Sequence, residues 1–146
     1  ARSFLFNLDD NIIFSEDELI DVNVYSDIAA GTPIEMNDEV IEKFPLPKSW
    51  IERGKDTFIL HVKGDSMIEK NINDGDMAVI KKQNTALNNE IVAASLNGEA
   101  TLKTLKLNGD SPMLVPANPK YSEIYLEGKE VSILGVAIGI IKNKLN

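Results

Sequence analysis

Most of the chain consists of short apolar runs separated by turn-forming residues. From residue 57 onward, six segments have the length and composition of β-strands: 57–63, 77–82, 90–96, 99–107, 113–116 and 130–142. An Asn97-Gly98 pair between two of these runs is the strongest short-range signal for a β-hairpin, and it predicts that they pair antiparallel. Many short strands with such turns predict a mainly β fold, either a curled barrel-like sheet or two packed sheets.

The first part of the chain is less regular. Residues 1–21 mix acidic and apolar side chains, and we interpret them as an N-terminal arm or linker. Within them, the Ser-Glu-Asp-Glu sequence at 15–18 predicts a capping box that opens a short helix. Ile20, Val22 and Val24 then alternate as in a strand.

The remaining residues, 22–146, are predicted to form one domain. A chain of this size can bury a core without a disulfide or a metal ion. Near its start, the small residues, Gly and Pro of 28–34 predict an exposed loop. The Pro-Leu-Pro-Lys-Ser-Trp sequence at 45–50 predicts a second connector that leads into a short helical turn.

Composition excludes several classes of protein. The absence of cysteine excludes a disulfide scaffold, a thiolate metal site and a cysteine nucleophile. The longest apolar run, 133–141, is far shorter than the roughly 20 residues of a membrane span, and no signal peptide opens the chain. We therefore expect a soluble cytoplasmic protein without membrane contact. Its formal net charge of −8 predicts poor DNA binding by this chain alone, since phosphates are neutralised by Lys and Arg.

The choice of catalytic residues is narrow. The single histidine, His61, lies in an extended run five residues before Ser66, so a Ser-His-Asp triad would have to use it. A lone strand histidine is more often an exposed or hydrogen-bonded ring than a base. One histidine and scattered carboxylates also lack the spacing of metal ligands, so no metal or cofactor is predicted.

The segment around Ser66 favours a nucleophile. Gly64 allows the chain to leave a strand through an unusual turn, and a short helical turn over 67–70 can begin directly after Ser66. Backbone N–H groups at a helix start are unpaired, and beside a serine hydroxyl they can form an oxyanion site. The alternative is that Ser66 is only an N-cap.

A lysine on a predicted strand is the candidate base. In the strand 99–107, Lys103 shares one face with Leu105 and Leu107, whereas Lys106 lies on the opposite face. Burial would favour the neutral amine, which can deprotonate a serine hydroxyl, and Ser-Lys pairs are a known variant of the catalytic triad. The alternative is that the Lys103 side chain extends to solvent.

These motifs resemble those of the LexA family of self-cleaving repressors, which includes phage repressors and the UmuD mutagenesis proteins. The resemblance covers roughly residues 22–146. It rests on Ala-Ala-Gly-Thr-Pro at 29–33, Gly-Asp-Ser-Met at 64–67, Asp-Gly-Asp at 74–76, Glu-Ala-Thr-Leu-Lys-Thr-Leu at 99–105, Pro-Ala-Asn-Pro at 116–119 and the apolar tail 133–141. The order and spacing of these segments fit the family.

The resemblance implies specific roles for these residues. Ser66 would be the nucleophile, Lys103 the general base, and the backbone amides of Asp65 and Ser66 the oxyanion donors. The substrate would be the chain's own Ala30–Gly31 bond. The implied fold is the β-rich fold that LexA C-terminal domains share with signal peptidases.

The resemblance also implies partners. They are a second copy of the chain in a homodimer, an activated RecA-type recombinase filament that promotes cleavage after DNA damage, and operator DNA bound only through a DNA-binding domain absent from this chain. The strand 130–142 is the candidate dimer edge, and a buried core strand is the alternative. Two other interpretations are a UmuD-like mutagenesis protein and a non-catalytic β-rich interaction domain.

Overall fold

A computed structural model describes residues 3–5, 13–26, 40–51, 56–109 and 111–143, and these residues confirm the predicted mainly β fold. The strands are β1 (Ser3–Leu5), β2 (Ile13–Ser15), β3 (Leu19–Tyr25), β4 (Val40–Pro47), β5 (Thr57–His61), β6 (Met77–Lys82), β7 (Ile91–Leu96), β8 (Glu99–Asn108), β9 (Ser111–Val115), β10 (Ile124–Tyr125) and β11 (Val131–Ile141). Short 3-10 turns span Glu16–Glu18, Lys48–Trp50 and Ile68–Lys70. No helix in these ranges is long and apolar enough to cross a membrane.

Nine strands form one mixed sheet in the order β10-β9-β8-β7-β11-β6-β5-β3-β4. Neighbouring strands are antiparallel except β3 and β5, which run parallel. Within the described ranges this sheet is open, with β10 and β4 as its edge strands. The first two strands pair with each other in a separate antiparallel sheet, so part of the predicted N-terminal arm is a small hairpin.

The predicted hairpin is confirmed. β7 and β8 pair antiparallel, with Leu96 opposite Glu99. Asn97 and Gly98 between them have φ angles of 49° and 92°. Positive φ at both central residues is what a type I′ turn requires, and this turn matches the right-handed twist of the two strands.

The N-terminal predictions are confirmed in part. Ser15 and Glu18 form the expected capping box around a short 3-10 turn, and β3 contains the alternating residues. The prediction of a connector at 45–50 was wrong for residues 45–47, because these residues form the end of β4. β4 is an edge strand, where proline is tolerated since one side of the strand needs no hydrogen-bond donors. The helical turn that was expected to follow is present at Lys48–Trp50.

The long strand β11 changes partner at Gly135. Residues 131–136 pair with β7 and residues 135–141 pair with β6. A Cβ atom on Gly135 would lie 2.4 Å from the Lys81 carbonyl oxygen and 2.5 Å from Ile80 Cγ2, so only glycine fits this crossing. β11 is thus an internal strand of the sheet, yet each half has one edge without a partner among the described strands.

One buried cluster joins the two segments that were predicted to carry chemistry. Met67 follows Ser66 and is 2% exposed, and Leu102 precedes Lys103 and is 7% exposed. Both side chains belong to a cluster that also contains Tyr25, Phe58, Leu60, Ile72, Ala78, Ile80 and Ala93. Burial of such side chains is favourable by roughly 1.5–3 kcal/mol each, so the core holds both neighbours in place.

The buried carboxylate of Asp76 connects the residues that follow β11 to the loop after Ser66 through hydrogen bonds. Asp76 accepts hydrogen bonds from the backbone amides of Asn73 (2.8 Å) and Asn143 (3.0 Å), and from Lys142 Nζ. Lys142 Nζ also donates to the Asn71 carbonyl oxygen, 2.6 Å away. Burial alone would raise the pKa of Asp76, but these hydrogen bonds outweigh it and hold the pKa below its usual value.

Candidate active site

Ser66 lies in a tight turn between β5 and the Ile68–Lys70 3-10 turn. Gly64 has a φ of +80°, a conformation that favours glycine, and its N–H donates to Asp74 Oδ1 at 2.7 Å. The residue at the N-cap of the 3-10 turn is Met67, so the alternative that Ser66 is the N-cap is not what the structure contains. The hydroxyl of Ser66 is left free to make another contact.

That contact is with Lys103. The two residues are 37 positions apart in sequence, and Lys103 Nζ lies 3.0 Å from Ser66 Oγ. Lys103 pairs with Val92 in the interior of the sheet, and its side chain is only 8% exposed. The alternative of a solvent-directed Lys103 is therefore excluded.

Thr101 also contacts the amine. It lies two positions before Lys103 on β8, so both side chains point to the same face of the sheet. Lys103 Nζ donates to Thr101 Oγ1 at 2.5 Å. The sequence placed Thr101 on the correct face, but the alternation of a strand does not indicate that its hydroxyl bonds the neighbouring amine.

The surroundings of Lys103 disfavour its charged form. Burial lowers the pKa of Lys103 below the ordinary lysine value, because an ammonium ion loses its hydration there. A small cavity of about 80 Å³ opens beside the amine, and none of its described lining residues is acidic. Its lining comprises Ser26, Leu60, His61, Val62, Lys63, Ser66, Met67, Ala78, Ala100, Thr101, Leu102 and Lys103. Among these described lining residues, no carboxylate favours the ammonium form.

His61 lies at the same cavity but in a different role. Its Nε2 is 3.6 Å from Glu42 Oε1 on the edge strand β4. The side-chain partner of the Ser66 hydroxyl is Lys103 rather than His61. A triad built on His61 is therefore not the arrangement present.

The predicted cleavage site falls outside the described residues. Ala30 and Gly31 belong to the segment 27–39, between β3 and β4. The residues that flank the segment are described: Tyr25 pairs with Val40, and Ser26 lines the cavity beside Lys103. The residue that precedes the segment therefore lies at the cavity that Ser66 also lines.

The sequence did not assign a role to Asn118. This side chain is 7% exposed, and its Nδ2 donates to the Asp65 carbonyl oxygen at 2.8 Å. Nearby, the Asp65 carboxylate accepts hydrogen bonds from the Tyr121 hydroxyl and from Lys120 Nζ, and the Tyr121 bond in particular lowers the pKa of Asp65. Asn118 stands between two prolines, which predicts an irregular turn, but no local pattern indicates a partner 53 residues away.

Comparison with known proteins supports the resemblance to the LexA family. Residues 23–138 match the family described as Peptidase S24-like. The chain is 38% identical over 142 residues to a LexA repressor of Alcanivorax borkumensis, covering 97% of this chain and 68% of that protein. It is 43% identical over 131 residues to a LexA repressor of Pseudothermotoga lettingae, covering 89% of this chain and 66% of the relative.

A third relative gives a similar match. The chain is 43% identical over 121 residues to a LexA repressor of Mycobacterium tuberculosis, covering 83% of this chain and 50% of that protein. The chain therefore spans between half and about two thirds of the length of these relatives. Both kinds of match place it in one group: the chain belongs to the LexA family and carries its Peptidase S24-like domain.

Proposed function

We propose that this chain is the self-cleaving serine peptidase domain of a LexA-type transcriptional repressor. It cuts its own Ala30–Gly31 bond, with Ser66 as nucleophile and Lys103 as general base. The observation that carries the proposal is the 3.0 Å separation of Lys103 Nζ and Ser66 Oγ in a buried setting whose described lining residues include no carboxylate. A neutral amine at that distance has a lone pair that can accept the hydroxyl proton.

The reaction follows from these positions. Ser66 Oγ attacks the carbonyl carbon of Ala30 while Lys103 Nζ takes its proton. The negative charge on the carbonyl oxygen is stabilised by the backbone amides of Asp65 and Ser66. The C–N bond to Gly31 then breaks and the Gly31 nitrogen takes a proton from Lys103. Water finally hydrolyses the ester between Ala30 and Ser66: Lys103 accepts a proton from the water and then gives it to the departing Ser66 Oγ, which restores the hydroxyl and the neutral amine.

Thr101 orients the base. A neutral lysine amine carries two N–H groups and one lone pair. One N–H donates to Thr101 Oγ1, and the amine can then present its lone pair to Ser66 Oγ. Thr101 thereby reduces the loss of side-chain entropy on reaching the reactive geometry.

The position of the scissile bond makes the attack intramolecular. Ala30 lies four residues after Ser26, which lines the cavity, so a fully extended chain reaches at most roughly 14 Å from that point. The Tyr25–Val40 pairing brings the strands that flank the segment together beside this point. Such tethering replaces substrate affinity by effective concentration, and the cutting rate then depends on how often the segment docks.

The regulatory consequence concerns the whole protein. We propose that an activated RecA-type filament, formed after DNA damage, shifts the segment toward its docked state. Cleavage would separate a DNA-binding domain from the dimerising portion, so that the avidity for two operator half-sites is lost and the regulated genes are expressed. For the homodimer, we propose as the contact the edges of β11 that have no partner among the described strands, where Ile138 is 43% exposed.

The test is incubation of the purified chain between pH 7 and pH 10.5, followed by mass spectrometry. Fragments of residues 1–30 and 31–146 are expected. The rate should rise with pH, with a midpoint below the ordinary lysine value of about 10.4, because the neutral base is the active form. A rate independent of pH would contradict a lysine base, and an uncut chain would leave only a β-rich interaction domain.

Matched variants identify the residues. Ser66→Ala and Lys103→Ala should remain folded and uncut, and Gly31→Asp should block cutting because a bulky charged side chain cannot enter the small cavity. Lys106→Ala is the control, since this lysine lies on the same strand but contacts Asn89 away from the cavity. Cleavage in Ser66→Ala, or its loss in Lys106→Ala, would refute the assignment.

A further inference from the structure

One short segment binds the backbone carbonyl groups of both Asp65 and Ser66. Asn118 Nδ2 donates to the Asp65 carbonyl oxygen at 2.8 Å, and the Ala117 amide donates to the Ser66 carbonyl oxygen at 2.7 Å. The Ala117 carbonyl oxygen in turn accepts the Glu69 amide at 2.8 Å. The segment 117–118 therefore makes three hydrogen bonds to residues 65–69, which include Ser66.

Asn118 is itself held in one orientation. Its Oδ1 accepts the backbone amide of Lys120 at 3.0 Å, and its carbonyl oxygen accepts the backbone amide of Tyr121 at 3.1 Å. Because Oδ1 is occupied as an acceptor, the Nδ2 donor must face the Asp65 carbonyl oxygen. At 7% exposure, water cannot easily replace this donor.

The planarity of the peptide bond passes this constraint to the Ser66 amide. The described residues contain no cis peptide, and in a trans peptide the C=O of one residue and the N–H of the next point in opposite directions. When Asn118 holds the Asp65 carbonyl on its own side, the Ser66 N–H must point to the other side. The Ala117 contact fixes the Met67 N–H in the same way.

We propose that Asn118 is a positioning residue for the oxyanion site: through its bond to the Asp65 carbonyl oxygen, it holds the 65–66 peptide so that the Ser66 N–H is directed at the developing negative charge. This inference rests on the proposed function, since it assigns the amide of Ser66 to that reaction. Asn118 touches neither the Ser66 hydroxyl nor the amine of Lys103 in the described contacts.

Two substitutions separate the donor from the shape of the side chain. Asn118→Asp keeps the shape and the acceptor for the Lys120 amide, but it places a carboxylate oxygen against the Asp65 carbonyl oxygen, so the peptide must turn away. Asn118→Ala removes the donor without adding charge, and it is therefore the variant for pH measurements. Val22→Ala is the matched stability control, because Val22 is 4% exposed in a different core cluster.

The experiment measures first-order self-cleavage from pH 7 to pH 10.5 for the unsubstituted chain, both Asn118 variants, Val22→Ala and Ser66→Ala, with the folded fraction followed by circular dichroism. Removing an oxyanion donor outright costs about 100- to 1000-fold, so misdirecting one should lower the plateau rate at least about tenfold. The pH midpoint of Asn118→Ala should stay unchanged, because the surroundings of Lys103 are intact. Val22→Ala should cut at the unsubstituted rate wherever it is folded.

Other outcomes overturn the inference. A plateau rate in Asn118→Ala equal to that of the unsubstituted chain would overturn it alone, provided that Ser66→Ala is inactive. A shifted pH midpoint would mean that Asn118 acts through Lys103 and would also overturn it. Cleavage by Ser66→Ala would overturn the proposed function as well. If both Asn118 variants unfold, the through-hydrogen-bond NMR coupling between Asn118 Nδ2 and the Asp65 carbonyl carbon in the unsubstituted chain decides, and its absence would overturn the inference.

Discussion

Replacing Lys103 by Met should give a protein whose stability relative to the lysine form falls as the pH rises, because the cost of burying a charged amine then disappears from the lysine form. The substitution removes a buried amine and keeps most of the apolar stem. It is best made in a Ser66→Ala background, so that self-cleavage cannot interfere at high pH. The prediction depends on the 8% exposure of Lys103 and on the lowered pKa that burial causes.

The sign follows from proton linkage. Burial lowers the pKa of Lys103 in the folded state below its unfolded value of about 10.4. Between the two pKa values the unfolded chain binds more protons, so the free energy of unfolding of the lysine protein rises with pH. Below the folded pKa the penalty of burying the amine is complete, and above the unfolded pKa it has vanished.

Two opposing effects set the difference in the free energy of unfolding between the Met variant and the lysine protein. Each unit by which burial lowers the pKa of Lys103 costs about 1.4 kcal/mol of stability at neutral pH. Against this, the Met variant loses the hydrogen bond to Thr101, a net loss of about 0.5–1.5 kcal/mol. The difference between the two proteins should therefore fall with a slope of up to about 1.4 kcal/mol per pH unit.

The assay is urea unfolding followed by circular dichroism at intervals from pH 6 to pH 10.5. Val22→Ala in the same background is the control, and its stability difference should not change with pH. A stability difference that stays constant up to pH 10.5 would show that burial does not lower the pKa of Lys103. The proton-transfer step from Ser66 would then lose its physical basis.

Two further substitutions test the close contact between β6 and β11 and the hydrogen bonds that Asp76 accepts near the end of β11. Gly135→Ala should destabilise the fold by about 1–3 kcal/mol or more in urea unfolding, since the new methyl group meets the Lys81 carbonyl oxygen at 2.4 Å; an unchanged midpoint would contradict the close crossing of β6 and β11. Asp76→Asn should cost about 1–3 kcal/mol at pH 7, because the buried donors lose a charged acceptor. Hydrogen bonds outweigh the effect of burial and hold the pKa of Asp76 below its unfolded value of about 3.9, so its contribution is complete above that pH and is lost as the pH falls through the folded pKa. A stability difference that is the same at pH 2 as at pH 7 would refute this.

The sequence was sufficient to predict local structure where a few neighbouring residues decide the backbone conformation. The Asn97-Gly98 turn follows from the low cost of positive φ at these residues, and the capping box at Ser15 follows from side chains three positions apart. The apolar alternation located the later strands to within a few residues, because the two faces of a sheet differ in burial. Pro45 and Pro47 were misjudged for the converse reason, since proline is compatible with a strand only at a sheet edge, and edge position is a tertiary property.

The sequence by itself also determined which residues were chemically able to act. The absence of cysteine excluded a thiol nucleophile, the single histidine left one possible triad base, and the period of two placed Lys103 beside leucines; the resemblance to the LexA family then implied the Ser66–Lys103 pair. Only the tertiary structure decided that the Lys103 amine lies 3.0 Å from the Ser66 hydroxyl, and that Asn118 reaches the Asp65 carbonyl group. These contacts join residues 37 and 53 positions apart, and such distances depend on strand order and on the shared core around Met67 and Leu102, which no local pattern encodes.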